Sequence, residues 1–139
     1  MAGPLIVVKG MQKVLANMKR ANAQMASGFA VGARKGGHFL ERESKKIVPR
    51  DTGNLVNTAF VRNMGGQGWD VDIHIGYTAG YAVYVHEDLT KKHGSAYNAA
   101  YAGKDQKLRG PDQQAKFLEA PAKEFRTEII RIIHKEAGL

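Results

Sequence analysis

Residues 11–47 read MQKVLANMKRANAQMASGFAVGARKGGHFLERESKKI, and the placement of apolar residues in this stretch decides the architecture. At about 100° per residue, Met11, Val14, Leu15, Met18, Met25, Phe29, Leu40 and Ile47 all fall within about 60° of one direction. Lys13, Arg20, Arg34, Lys35, Arg42, Lys45 and Lys46 fall on the other side. The phase holds throughout, which predicts one long amphipathic helix. Gly32, Gly36 and Gly37 each weaken it by about 1 kcal/mol relative to Ala, so a kink or break is expected near Gly36. Unbroken, the helix is about 55 Å long. A compact domain of 139 residues has a radius of gyration of only about 14 Å. The helix must therefore break or reach beyond its own domain, and its apolar face needs a partner.

The same block carries the charge. The first fifty residues hold ten Lys or Arg against Glu41 and Glu43, a net +8. The remaining eighty-nine hold eleven basic and eleven acidic side chains. All the excess charge thus sits on and beside the long helix, which points to a polyanionic neighbour. With 139 residues and 43% hydrophobic content, the chain is expected to form one domain with a modest core. No cysteine is present, so disulfides, thiolate metal sites and cysteine nucleophiles are excluded. The run Leu5-Ile6-Val7-Val8 is too short for a signal-peptide core or a membrane span and reads as a short strand. A cytoplasmic protein with no membrane partner is expected.

Downstream, Pro49 stops the helix, and Asp51-Thr52-Gly53-Asn54 is turn chemistry, with Asp51 or Thr52 able to cap a short following helix. Residues 58–64 read as a strand, and Gly65-Gly66-Gln67-Gly68 as a hairpin loop. Residues 69–75 alternate strictly, with Trp69, Val71, Ile73 and Ile75 on one face, and Gly76 ends the strand. Residues 81–87 fit strand or helix equally well. Residues 88–114 lack periodicity and read as a long mobile loop containing Tyr97 and Tyr101. Residues 117–136 form a second amphipathic helix, with Phe117, Leu118, Phe125, Ile129, Ile132 and Ile133 on its apolar side and Pro121 in its first turn.

Catalytic constellations are weak. Asp51-Thr52-Gly53 is the tripeptide of aspartic proteases, whose two carboxylates meet on tight turns after buried strands. Here Pro49-Arg50 and a helix end precede Asp51, which favours a turn and cap instead. No two of His38, His74, His86, His93 and His134 are spaced i, i+4, although His86-Glu87-Asp88 forms a local polar cluster. The glycine clusters lack the Lys-Ser/Thr ending of a phosphate loop. No catalytic residue, metal or cofactor is expected. A basic helix face contacting phosphates without sequence selectivity fits the composition better, and Tyr97 and Tyr101 beside lysines could stack on bases.

Three ordered stretches resemble a known family. Val48-Pro49-Arg50-Asp51-Thr52-Gly53-Asn54-Leu55 followed by Asn57-Thr58 is similar to a Pro-x-Asp-Thr-Gly-x-Leu-x-x-Ser block. Ile75-Gly76-Tyr77 with Tyr81-Ala82-Val83-Tyr84-Val85-His86-Glu87 is similar to its Val-Gly-Thr and Tyr-Ala-x-x-Val-Glu segments. Phe117-Leu118 before Pro121-Ala122 resembles its Phe-Leu-x-Pro-Ala helix start, and Val8-Lys9-Gly10-Met11 its strand-to-helix entry. The family is that of the neck and tail-completion proteins of long-tailed phages, also described as minor tail or head–tail joining components. His86 between Val85 and Glu87, and Asp88-Leu89 in place of a Gly-Thr pair, depart from the pattern.

The resemblance implies an α+β fold: a long N-terminal helix, a small antiparallel sheet and a C-terminal helix packed on it. It implies a non-enzymatic virion protein that forms a ring, expected to be a hexamer, beside head-connector and tail-tube proteins at the neck, after synthesis in the host cytoplasm. On that reading Asp51, Thr52, Gly53 and Leu55 form a structural turn. Tyr81, Tyr84 and Glu87 shape the element beside an interface loop, and Lys91, Lys92, Lys104, Lys107 and Arg109 contact the adjoining ring or DNA. Lys13, Arg20, Arg34, Arg42, Lys45 and Lys46 face DNA passing through the channel. A nonspecific DNA-binding protein is the alternative.

Overall fold

The computed structural model describes residue 3 and residues 9–50, 53–89 and 115–139. The expected strand at 5–8 and the loop from 90 to 114 lie outside the described residues.

Helix α1 spans Met11–Ile47 without a break. Gly10 precedes it at φ 91°, a left-handed conformation that glycine adopts without a Cβ clash. At the other end the Val48 amide donates to the Ser44 carbonyl, and the Arg50 guanidinium donates to the Lys45 carbonyl at 2.7 Å. Basic side chains on the last carbonyls complement the helix dipole, and Pro49 follows where a helix cannot continue.

The break expected near Gly36 does not form, because the glycines are packing positions. A Cβ on Gly28 would lie 2.1 Å from the Glu136 carbonyl oxygen, one on Gly32 2.7 Å from Ile133 Cα, and one on Gly36 3.1 Å from Ile129 Cγ2. Spaced by four, these glycines form one ridge that lets a second helix approach its backbone. Gly37, one position round, faces Val61, Ile73 and Ile75 of the sheet.

Short helix α2 (Asn54–Asn57) leads into β1 (Ala59–Gly65). Its N-cap position falls on Gly53, at φ 80°, and not on Asp51 or Thr52. Strand β1 pairs antiparallel with β2 (Asp72–Tyr77), with Val61 opposite Ile75 and a bulge between Asn63 and Gly65. The expected second strand begins three residues late. Trp69 lies in a 3-10 turn, Gly68–Asp70, and the strand runs past Gly76 to Tyr77. A two-stranded hairpin is marginal alone, and here α1 supports it. The ambiguous segment 81–87 is helical, as α3 (Ala82–Glu87).

The C-terminal helix, expected as one piece, is two: α4 (Glu119–Glu124) and α5 (Arg126–Ala137). The chain turns at Phe125, at φ −95° and ψ 16°, and its ring meets Phe39 edge-on at 5.6 Å. The turn keeps Phe117 and Pro121 buried in the body while Ile129 and Ile133 run antiparallel along the glycine ridge. The fold is therefore α+β, as expected, with a long N-terminal helix and a small antiparallel sheet; the C-terminal helix, expected to pack on the sheet, packs mainly against α1 instead, because the glycine ridge lets its backbone approach there.

A core gathers at the C-terminal end of α1. Val48, Leu55, Ala82 and Phe117 are buried together, with Ile47, Val56, Tyr77, Ala79, Val85 and Leu118 packed around them. The Phe117 ring takes Tyr77 and His86 edge-on at 5.1 and 5.0 Å. The Thr58 hydroxyl donates to the Leu55 carbonyl at 2.8 Å and accepts from the Ala79 amide at 3.3 Å, tying α2 to the segment before α3.

Candidate interaction surface

The segments that carry the family resemblance converge in that core. Val48 and Leu55 come from the first, Tyr77, Ala82 and Val85 from the second, and Phe117 and Leu118 from the third. These residues hold the fold together. The chemistry that faces outward lies elsewhere, at the two ends of α1.

The N-terminal end is uncovered. Every residue from 9 to 24 is exposed, and burial begins only at Met25. The C-terminal helix reaches Gly28, where Ala137 is 4% exposed, and the hairpin turn reaches Asn22, whose Oδ1 accepts from Trp69 Nε1 at 3.2 Å. The Trp69 ring leans on Phe29 at 5.3 Å. Above Asn22 about three turns project with no described residue beside them. Their apolar face carries Met11 at 51%, Val14 at 53%, Leu15 at 49% and Met18 at 63% exposure. This face continues the one that lower down buries Gly32, Gly36 and Leu40.

The basic side of α1 divides lower down, between Arg34 and Lys35. Lys13, Arg20 and Arg34 have no carboxylate partner among the described residues. Lower down, Lys45 bonds Glu41 at 2.6 Å, Lys46 bonds Glu43 at 2.5 Å and Arg42 reaches Glu43 at 3.2 Å, while Lys35 pairs with Glu136 at 2.6 Å. The Lys45 hydrogen bond holds the Glu41 carboxyl below its ordinary value, and the Lys46 hydrogen bond does the same for Glu43, against the opposing effect of burial. The free cations of the expected DNA-facing set are therefore Lys13, Arg20 and Arg34; Arg42, Lys45 and Lys46 are engaged within the helix.

At the other end, α3 turns Ala82 and Val85 into the core and presents Val83, Tyr84 and Glu87 outward. Val83 is 69%, Tyr84 77% and Leu89 74% exposed. Tyr81, half exposed, accepts a hydrogen bond from Asn54 Nδ2 at 3.3 Å. Glu87 accepts from Lys116 Nζ and lies 2.8 Å from His86 Nδ1, so its carboxyl is held below its ordinary value chiefly by Lys116, whose ammonium is stabilised in return. The Lys116 amide donates to the His86 carbonyl at 2.8 Å, which fixes the start of the C-terminal segment against α3.

Of the other expected site residues, Gly53 makes the turn before α2 and Leu55 is 5% exposed in the core. Asp51, Thr52, Lys91, Lys92, Lys104, Lys107 and Arg109 lie outside the described residues. Val83 and Leu89 are not among the expected site residues; their signal is a pair of apolar side chains on either side of Glu87, one on the short helix and one just past its end. Among the described residues no group of three or more His, Asp or Glu is placed to hold a metal, and no helix is long and apolar enough to cross a membrane. Compared with protein-family models, with curated proteins and with solved structures, the chain matches none.

Proposed function

We propose that the chain is a structural virion protein of a tailed phage, forming a ring at the neck that completes the tail or joins it to the head connector while letting DNA pass. The observation that carries this reading is the projecting part of α1. A monomer rarely leaves a contiguous apolar stripe in water, and such a stripe marks an interaction surface. A ring of copies covers it without any additional component, and the resemblance of residues 48–58, 75–87 and 117–122 to neck proteins supplies the setting. Lys13, Arg20 and Arg34, on the opposite face and without ion-pair partners among the described residues, suit loose contact with sliding DNA.

Light scattering of the purified chain, alone and with a head-connector or tail-tube protein of the same phage, tests the proposal. The expected result is a discrete ring-sized particle, formed at high concentration or on addition of the partner. A strict monomer under both conditions contradicts it.

The unpaired cations also favour a second reading, a nonspecific DNA-binding protein that forms no ring. Submicromolar DNA binding with a steep salt dependence and no self-assembly would support that reading instead.

A further inference from the structure

Helix α1 carries a second ordered feature on the side away from its apolar stripe. Arg20 follows Lys13 by seven residues and Arg34 follows Arg20 by fourteen, with Ser27 filling the remaining place in the seven-residue row, and all four are exposed. Because α1 runs unbroken from Met11 to Ile47, these positions lie on one line. Each seven-residue step turns back by only about 20°, a drift that long side chains absorb. Along the axis Lys13 and Arg20 are about 10.5 Å apart, and Arg20 and Arg34 about 21 Å. No acidic residue precedes Glu41 in the chain, and none of the three cations has a carboxylate partner among the described residues. The cations that follow, Lys35, Arg42, Lys45 and Lys46, are each tied to Glu136, Glu41 or Glu43.

Resting on the DNA contact proposed above, and independent of whether a ring closes, we infer that this row binds duplex DNA lying parallel to α1 over one helical turn. The three cations span about 31.5 Å, close to one duplex turn of about 34 Å. A line drawn along the surface of a duplex crosses its two phosphate strands in turn, over a minor groove about 6 Å wide and then a major groove about 12 Å wide. The one-to-two division of the row reproduces that alternation. Lys13 and Arg20 meet the strands on either side of the minor groove, and Arg34 meets the next crossing, beyond the major groove. Evenly spaced cations do not fit this pattern, and a single strand has no grooves to match it. Contacts made only to phosphates carry no sequence information, as DNA that slides requires. The geometry also orients the helix: the row faces the duplex, and the exposed stripe of Met11, Val14, Leu15 and Met18 faces away from it.

Fluorescence anisotropy of the full chain with a labelled duplex of about two helical turns, between about 50 and about 200 mM salt, tests the inference. Three phosphate contacts predict a log–log slope of about −2.7, an affinity loss of about fortyfold over that range. Lys13→Gln, Arg20→Gln or Arg34→Gln alone is expected to bring the slope to about −1.8 and the loss to about twelvefold. Lys19→Gln, about 100° round the helix from Arg20, and Lys46→Gln, whose lysine is paired with Glu43, are expected to leave the slope at about −2.7. The deciding variant moves a charge without removing it. Ser27→Arg combined with Arg34→Gln keeps three cations in the row but makes both steps about 10.5 Å, and it is expected to bind like the single Gln variants. All these positions are exposed, and circular dichroism confirms that each variant folds. A single strand of the same length is expected to bind more weakly than the duplex. Wild-type affinity and slope in the moved-charge variant, an equal loss on Lys19→Gln, equal or tighter binding of the single strand, or no duplex binding at about 50 mM salt overturns the inference. Assembly in light scattering without duplex binding removes this contact and leaves the ring; the predicted slopes from a strict monomer keep the contact and remove the ring.

Discussion

At the scale of single residues, packing overrides propensity in α1. Gly32 lowers intrinsic helicity, yet an alanine there would place its Cβ 2.7 Å from Ile133 Cα and 3.0 Å from its carbonyl oxygen. Alanine gains about 1 kcal/mol of helix propensity, but forcing backbone apart in a filled interface costs about 1–3 kcal/mol. Gly32→Ala is therefore expected to be neutral to destabilising, by up to about 2 kcal/mol in urea unfolding; a clear stabilisation would show that the glycine ridge is not in contact. The sequence displays these glycines only as weak points, because the residue that forbids their side chain lies about a hundred positions away. Ser44 is a second case. Its hydroxyl is fully buried and shares a 2.7 Å hydrogen bond with Tyr77, whose phenol burial holds protonated above its ordinary range. Tyr77→Phe strands the serine and is expected to cost about 1–2 kcal/mol, read from the same unfolding curves.

At the scale of elements, α1 is two helices in stability though one in geometry. Residues 11–21 are exposed all round, while the stretch from Gly28 to Leu40 lies between the hairpin and α5. Amide hydrogen exchange is expected to be fast in the first three turns and slow from Gly28 to Leu40. Trp69→Ala, which removes the ring on Phe29 and the bond to Asn22, extends the fast region toward Gly28. Uniform protection along α1 in the isolated chain would contradict this division. The base of the helix adds a pH dependence. Glu41 and Glu43 titrate below their ordinary 4.5 because Lys45 and Lys46 bond them in the fold. The unfolded chain binds protons first, so their contribution is complete above about pH 4.5 and is lost as pH falls through the depressed values. Stability is expected to drop as pH falls below about 4.5, and Glu43→Gln to flatten that drop.

The bounds of α1, the β1 strand and the turn glycine Gly53 were legible in the sequence, because periodicity and local turn chemistry specify them. The break at Phe125 was not, since the apolar spacing of 117–136 continues across it and only the Phe39 ring and the glycine ridge show why the axis turns. Residues 81–87 were ambiguous for a related reason: seven residues hold too few periods to separate strand from helix, and the core contact of Ala82 and Val85 decides. The candidate surface was half legible. The apolar stripe and its need for a partner followed from the wheel. Which part of the stripe stays open depends on how far α5 and the hairpin reach, and that is a property of the assembled fold.

At the scale of the whole molecule, charge, shape and exposed apolar surface agree. The chain buries one end of its long helix in its own core and exposes the other, where Lys13 and Arg20 have no carboxylate partner among the described residues. We propose that the exposed end meets the next copy in a ring around DNA. The most direct measurement is electron imaging of virions made from the genome that encodes the chain, followed by localised reconstruction of the capsid-to-tail passage. The account predicts a closed ring of copies there, each with residues 11–21 seated on its neighbour. Virions whose neck and upper tail contain no density for the chain would contradict it.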